Sequence, residues 1–204
     1  MTVTGVEPYT KTKFKVYLDG VFAFVLYKGE LSRYGIRSGG ELSVDMADKI
    51  RSEVVLKRAK LRAMHLLSDM DRTESALREK LKQGLYPQDV IEKAVDYVKD
   101  FGYLDDGRYA ENFVRSRQGT KSRKEIRAAL QQKGISAELI DRAFEICGEE
   151  GGDEAAIRNI LRKKKFDPET ADERERQKIY GYLARKGFYY ETVRQVIQNY
   201  SDRA

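Results

Sequence analysis

Two adjacent carboxylates, Asp105 and Asp106, lie in the stretch FGYLDDGRYAENFVRSR, and a carboxylate pair can perform general acid–base chemistry. Adjacent residues of a helix point about 100° apart, so the pair could face one substrate only from a turn. Phe101-Gly102 is typical of a helix end, and apolar residues recur at helical spacing from Ala110 onward. We therefore predict that the aspartates begin a helix, where a carboxylate caps free backbone amides for about 1 kcal/mol.

Other residues with catalytic potential also have simpler explanations. The stretch GTKS at residues 119–122 is similar to the end of a phosphate-binding loop, but that motif needs adjacent Gly-Lys and an earlier glycine. Cys147, the single cysteine, shares an apolar column and is predicted to be a packed thiol. His65 is the single histidine, which excludes a histidine metal site and favours a surface or boundary position. We expect no catalytic, cofactor-binding or metal site.

Positive charge is concentrated in the second half of the chain. The formal net charge is +6, and residues 107–204 contain 21 Lys and Arg against 16 Asp and Glu. The stretch Arg108 to Lys133 has two acidic residues, Glu111 and Glu125. Its eight basic residues are Arg108, Arg115, Arg117, Lys121, Arg123, Lys124, Arg127 and Lys133. This density indicates an anionic partner, with nucleic acid the first candidate, and the alternative is a solvated helix face.

The composition limits the class of protein that can position these residues. Of the 204 residues, 35% are charged and 41% hydrophobic, which favours long solvated helices over a deep sheet core. No apolar stretch approaches the about 20 residues that a membrane helix needs, and no secretion signal opens the chain. We expect a soluble monomeric protein of the cytoplasm.

The first 43 residues are predicted to be rich in β-structure. Two apolar runs in Phe14 to Leu26 surround Asp19-Gly20, a dipeptide suited to a tight hairpin turn. Because two strands alone are marginal in water, the hairpin should add a strand or pack on a neighbour. A short helical piece and the Gly39-Gly40 break follow. The stretch from Asp45 to Met70 is then predicted to form one long helix or two abutting helices with an apolar face. That face consists of Ala63, Leu66, Leu67 and Met70.

The helical part repeats itself three times. LKQGLYPQDVIEKAV, LQQKGISAELIDRAF and LARKGFYYETVRQVI, which start at Leu81, Leu130 and Leu183, align without a gap. Each describes a helix closed by a glycine cap and followed by another helix whose first turn holds an acidic residue. The first copy departs from this pattern, because Leu85 occupies the glycine column and Gly84 precedes it. With one more helix in front of each copy, we predict tandem three-helix repeats that stack into an elongated curved array.

The predicted domains are a β-rich segment (1–43) and three helical repeats (44–104, 105–150 and 151–204). Between the second and third repeats, GEEGGDE at residues 148–154 reads as a flexible acidic joint. The charged passage from Lys163 to Lys178 follows, and Pro168 interrupts any continuous helix there. We expect hinge-like freedom of the third repeat.

GYLDDGRYAENFVRSR, the LQQKGI turn and the terminal LARKGFYYETVRQVI resemble the RecX family of bacterial RecA regulators, over roughly residues 55–200. The resemblance implies tandem three-helix units that lie in the groove of the RecA filament on DNA. It implies restraint of RecA's ATPase and strand exchange, in DNA repair, recombination and the SOS response, with some contact to DNA. It also implies a protein that is not an enzyme and needs no cofactor.

Two hypotheses for function remain open from the residues. In the first, the protein regulates the RecA filament directly. In the second, it is a basic DNA-binding module that affects recombination indirectly, with the basic residues of the second repeat on phosphates and Tyr109 or Tyr103 stacking on bases.

Overall fold

The computed structural model of the protein describes residues 1–148 and 152–200, which form two compact units, Met1–Asp105 and Asp106–Ala204. The fold is mainly helical with a small N-terminal antiparallel sheet, so the predicted fold class is confirmed. Within the described ranges, no helix has the length and apolar character needed to cross a membrane.

The first unit contains β1 (Val3–Pro8), β2 (Lys13–Leu18), β3 (Val21–Tyr27), α1 (Lys28–Arg33), α2 (Val44–Lys49), a π-helical segment (Ile50–Val55), α3 (Leu56–Asp69), α4 (Glu74–Gln83) and α5 (Gln88–Asp100). The second unit contains α6 (Asp106–Arg117), α7 (Arg123–Gln132), α8 (Ala137–Cys147), α9 (Asp153–Lys163), α10 (Glu173–Arg185) and α11 (Tyr190–Gln198).

The predicted hairpin is formed by β2 and β3. Its turn residues Asp19 and Gly20 have φ values of 48° and 83°, the left-handed geometry that suits the twist of a two-residue hairpin. The additional strand that the hairpin needs is β1, which pairs antiparallel with β2 in the order β1-β2-β3. Because β1 lacks a hairpin signal of its own, its pairing was not predicted from the sequence.

The sheet and the first helical repeat share one apolar core, in which Phe24 and Leu26 of β3 are fully buried. Arg58 of α3 ties the two parts together. Its Nη1 donates to the Val25 carbonyl oxygen at 3.0 Å, and its Nη2 lies 2.5 Å from Oε1 of Glu30. Both charged side chains are 21% exposed, so their ion pair is partly shielded from water.

The helical stretch predicted from Asp45 to Met70 is present, but it contains a π-helical segment in its middle. Ala63 and Leu66 of α3 are buried as expected, and His65 is exposed. Met70 is 56% exposed because the chain leaves the helix there in an extended conformation, so the predicted apolar face is wrong at its last residue.

Ion pairs tie α4 to α5 within the first repeat. Arg78 bonds to Glu74 at 2.6 Å and to Glu92 at 2.5 Å, and Lys99 reaches Glu74 at 2.7 Å. Burial raises the pKa of Glu74, but the hydrogen bond from Lys99 and the charges of Arg78 and Lys99 together outweigh it and hold this pKa below its ordinary value.

Each repeat has three helices: α3-α4-α5, α6-α7-α8 and α9-α10-α11. The residue that closes the middle helix is left-handed in all three, with φ values of 58° at Leu85, 83° at Gly134 and 87° at Gly187. Leu85 therefore adopts the geometry of the glycine column although it carries a side chain. The apolar columns of the aligned stretches are buried except at Tyr86, which is partly buried. Their central members are Leu81, Leu130, Leu183, Ile91, Ile140 and Val193.

The second and third repeats have separate apolar cores and are joined by hydrogen bonds. The Ser122 hydroxyl, which is fully buried, donates to the Lys186 carbonyl oxygen at 2.6 Å. Asn159 Nδ2 donates to the Gly119 carbonyl oxygen at 2.8 Å. These contacts oppose hinge-like freedom of the third repeat, which stays a prediction because residues 149–151 of the joint lie outside the described residues.

Replacing Arg58 should destabilise the first unit. In Arg58→Ala, the half-buried Glu30 loses its charged partner, and we expect the free energy of unfolding to fall by about 2 kcal/mol. Urea unfolding followed by circular dichroism measures the change. The matched control is Lys57→Ala, since Lys57 is exposed on the same helix. A loss of equal size in both variants would contradict the role assigned to Arg58.

Ser122 caps α7 and also bonds to the third repeat, and a comparison with Ser136, which only caps a helix, separates these two contributions to stability. Ser122 and Ser136 both cap helices, α7 and α8, but only Ser122 is buried and bonded to the third repeat. We expect Ser122→Ala to cost about 1 kcal/mol more than Ser136→Ala, because it also leaves the Lys186 carbonyl oxygen without its donor. Urea unfolding of the two variants provides the comparison, and equal costs would show that the bond between the repeats adds no stability.

Candidate functional site

The basic residues predicted to bind an anion lie in the first two helices of the second repeat and in the turn between them. None of them is buried. The helix α6 carries Arg108, Arg115 and Arg117, the turn carries Lys121, α7 carries Arg123, Lys124 and Arg127, and Lys133 follows α7. The fold thus places all eight basic residues on or directly beside α6 and α7. They differ in whether a carboxylate or an aromatic ring lies next to the charged group.

Carboxylates pair with Lys121, Arg115 and Arg127 in the part of the chain that the structure describes. Lys121 Nζ lies 2.6 Å from Glu125 Oε1, and Arg115 lies 3.6 Å from Glu111. The third pair joins α7 to α8, between the guanidinium of Arg127 and a carboxylate oxygen of Asp141. Exposed pairs of this kind add little stability, but each neutralises a cation that an incoming anion would otherwise meet.

Three arginines of this set lie over aromatic rings, and one of them, Arg127, is 5.9 Å from the ring centre of Phe144 but is already paired with Asp141. The guanidinium of Arg123 is 4.4 Å from the ring centre of Phe144, and that of Arg117 is 5.6 Å from the ring centre of Phe113. A guanidinium over a ring keeps the N–H groups at its edge available for a phosphate or carboxylate. Arg117 and Arg123 are both exposed, so they are the best placed of the set to bind an anion.

Lys133 and Lys124 differ in their surroundings. The ammonium of Lys133 lies 5.8 Å from the ring centre of Tyr109 and 5.9 Å from that of Phe113. Lys124 is exposed in the first turn of α7, beside Arg123. The positive end of the helix dipole makes this turn unfavourable for cations, so helix stability does not account for the pair. For Arg123, the contact with the Phe144 ring offsets this cost.

The acidic residues of the second repeat have structural functions. The helix α6 begins at Asp106, which confirms that the aspartate pair begins a helix, and the predicted capping hydrogen bond stays a prediction. Glu138 lies in the first turn of α8, as the repeat alignment predicts. Hydrogen bonds from its own backbone amide and from Ser136 lower the pKa of Glu138.

The two other sequence features with catalytic potential are part of the packing. Cys147 is half-buried against the core of the second repeat, with its Sγ 3.6 Å from the Glu111 carbonyl oxygen, as expected for a packed thiol. The GTKS stretch forms the turn before α7, and the hydroxyl of Ser122 accepts from the Glu125 backbone amide at 3.0 Å to cap that helix.

A second basic cluster lies in the third repeat. Lys164 and Lys165, which follow α9, and Lys178 of α10 line one cleft of about 460 Å³ together with Tyr182. No site is predicted here from the sequence, because Lys178 is distant along the chain and only the fold brings it to the other lysines. The run of lysines directly before Phe166 is the local signal that could have indicated the cluster.

Family models and similar proteins agree along the chain. Residues 59–97, 105–143 and 152–197 match, respectively, the first, second and third three-helix domains of RecX. The chain is 30% identical to the regulatory protein RecX of Caldanaerobacter subterraneus subsp. tengcongensis over 97% of this chain and 98% of that protein. It is 27% identical to that of Clostridium botulinum (strain Eklund 17B / Type B), over 97% and 94%. A crystal structure of regulatory protein RecX superposes with a TM-score of 0.66 at 26% identity, covering 98% of this chain and 99% of that one.

Proposed function

The chain belongs to the RecX family of regulatory proteins, and from this premise we propose that it binds RecA–DNA filaments and restrains their ATPase and strand-exchange activities. The observation that carries the proposal is the presence of all three RecX three-helix domains, in order, in one chain. The process served would be DNA repair and recombination, including the SOS response, in the cytoplasm. The protein would act as a monomer and without a cofactor.

The exposed side chains of the second repeat support this proposal. A RecA filament on DNA presents phosphates together with protein surface, so a regulator that binds along it needs exposed cations and aromatic groups. Arg117 and Arg123 provide both at once, because each guanidinium lies over a ring of its own repeat. Such binding to the filament surface can restrain the activities of RecA without any catalytic step by this protein.

The direct test measures ATP hydrolysis by RecA on single-stranded DNA while the purified protein is titrated in. We expect inhibition at substoichiometric or near-stoichiometric amounts relative to RecA. Preformed filaments and a large excess of free single-stranded DNA serve as the control for simple removal of DNA by the added protein. An unchanged rate of hydrolysis at saturating protein would contradict the proposal.

A second candidate function is a DNA-binding module that affects recombination indirectly. The observation in its favour is the adjacent pair Arg123 and Lys124 at the start of α7, where helix stability disfavours cations. In this case the protein should bind bare DNA as tightly as it binds RecA filaments. Binding should weaken steeply with salt, because each phosphate contact releases counterions.

Two triple variants with the same change of charge test the surface of the second repeat. The first replaces Arg117, Arg123 and Lys124 with Gln, and the second replaces the carboxylate-paired Arg115, Lys121 and Arg127 with Gln. We expect the first variant to lose on the order of tenfold in affinity for RecA filaments, equivalent to about 1.4 kcal/mol, and the second to lose less. The reason is that paired cations must first leave their carboxylates.

The measurement is fluorescence anisotropy with labelled DNA, bare and coated with RecA, at several salt concentrations. A loss confined to the coated DNA would favour the filament regulator, and a loss on both would favour the DNA-binding module. Equal losses for the two variants would mean that only net charge matters. No loss for either would exclude this surface from binding.

A further inference from the structure

We propose that the third repeat carries a separate binding site for a nucleic-acid strand, in which Lys164, Lys165 and Lys178 contact the phosphodiester backbone beside Tyr182. The site is distinct from the basic surface of the second repeat. It follows from residues of the third repeat alone and does not depend on the proposed RecA regulation.

The three lysines come from two elements that border one cleft. Lys164 and Lys165 follow the end of α9, and Lys178 lies on α10, one helical turn before Tyr182 and hence on the same helix face. The cleft is an open hollow of about 460 Å³, accessible to a ligand from solvent. Positive charge from both sides therefore converges on one volume.

These lysines are exposed and, within residues 1–148 and 152–200, belong to none of the ion pairs, unlike three of the basic residues in the second repeat. Two carboxylates also line the cleft, but each is held by a backbone amide. Asp167 Oδ1 accepts from the Glu169 amide at 2.9 Å, and Glu175 Oε2 accepts from the Asp172 amide at 3.3 Å. These neutral amides leave both carboxylates charged, so the cleft lining carries three positive and two negative groups, and no ion pair within the described ranges ties the lysines to the carboxylates.

The backbone at Lys165 is left-handed, as it is at Leu85 of the first repeat, and this decides which substitution tests its charge. Lys165 follows the first helix of the third repeat with a φ of 52°, a left-handed conformation that costs an L-residue roughly 1–2 kcal/mol. The equivalent position after the first helix of the second repeat is Gly119, with a φ of 75°. Glycine would be the more stable choice at this turn. Replacing Lys165 with glycine therefore removes the charge without adding backbone strain.

The aromatic rings at the cleft favour a nucleic-acid strand over an acidic peptide. The Lys164 ammonium lies 4.0 Å from the ring centre of Tyr182, a cation–π contact that holds the lysine at the cleft. Phe166 lines the same cleft. Both rings pack in part against the core of the third repeat, and the parts that line the cleft offer a face to an unstacked base, whereas an acidic peptide would use the lysines alone.

The experiment compares two triple variants that each remove three positive charges. The test variant is Lys164→Gln, Lys165→Gly and Lys178→Gln. The control variant is Lys11→Gln, Lys57→Gln and Lys82→Gln, three lysines that are likewise exposed and lie in the first unit. Affinity for labelled oligothymidylate is measured by fluorescence anisotropy over a range of salt, without RecA.

We expect the test variant to lose on the order of tenfold in affinity at low salt. The slope of log affinity against log salt should decrease by about 2, since each lost contact with a single strand contributes about 0.7. The control variant should lose less on both measures. A charge-preserving variant, Lys164→Arg with Lys178→Arg, should retain the parent affinity.

Three results would overturn the proposal. Equal losses in the test and control variants would show a non-specific effect of net charge. An unchanged affinity and slope in the test variant would exclude the cleft. A larger loss for labelled polyglutamate than for oligothymidylate would identify an acidic-protein site instead. RecA is absent from all of these assays, so failure here is distinguishable from failure of the RecA proposal.

Discussion

The left-handed residue after the middle helix of each repeat is the constraint on which the rest of the helical fold depends. At Leu85, Gly134 and Gly187 it reverses the chain, so that the next amide bonds back to the preceding helix. In the second repeat, for example, the Ile135 amide donates to the Leu130 carbonyl oxygen at 3.1 Å. This reversal brings the apolar columns of successive helices together, and without it each helix would be too short and too charged to persist.

The same turn also joins the second and third repeats. A Cβ atom at Gly187 would lie 3.0 Å from the hydroxyl oxygen of Ser122 and 3.3 Å from the Cβ of Lys124, so glycine is needed here for close approach as well as for its backbone angle. Ser122 uses this approach to donate to the Lys186 carbonyl oxygen while it caps α7. One turn therefore closes the third repeat's middle helix and positions the helix that carries Arg123.

Whether a basic residue of this protein can bind an anion depends on which groups the fold places beside it. The density of Lys and Arg between residues 108 and 133 is a fact of the sequence, yet carboxylates neutralise part of it, as Asp141 of α8 does for Arg127. In the cleft of the third repeat, Asp167 and Glu175 accept hydrogen bonds from backbone amides, and within the described residues none of the ion pairs joins them to the neighbouring lysines.

The sequence by itself determined the local structure, because the information lies within a few residues. Apolar spacing gave the helices and the buried columns, Asp19-Gly20 gave the hairpin turn, and the motif order indicated the family. Only the tertiary structure decided which distant groups meet: the pairing of β1 with β2, the partner of Arg127 and the convergence of Lys178 with Lys164. The physical reason is that periodicity and turn preference act along the chain, whereas ion pairs, strand pairing and clefts depend on how separate elements approach in space.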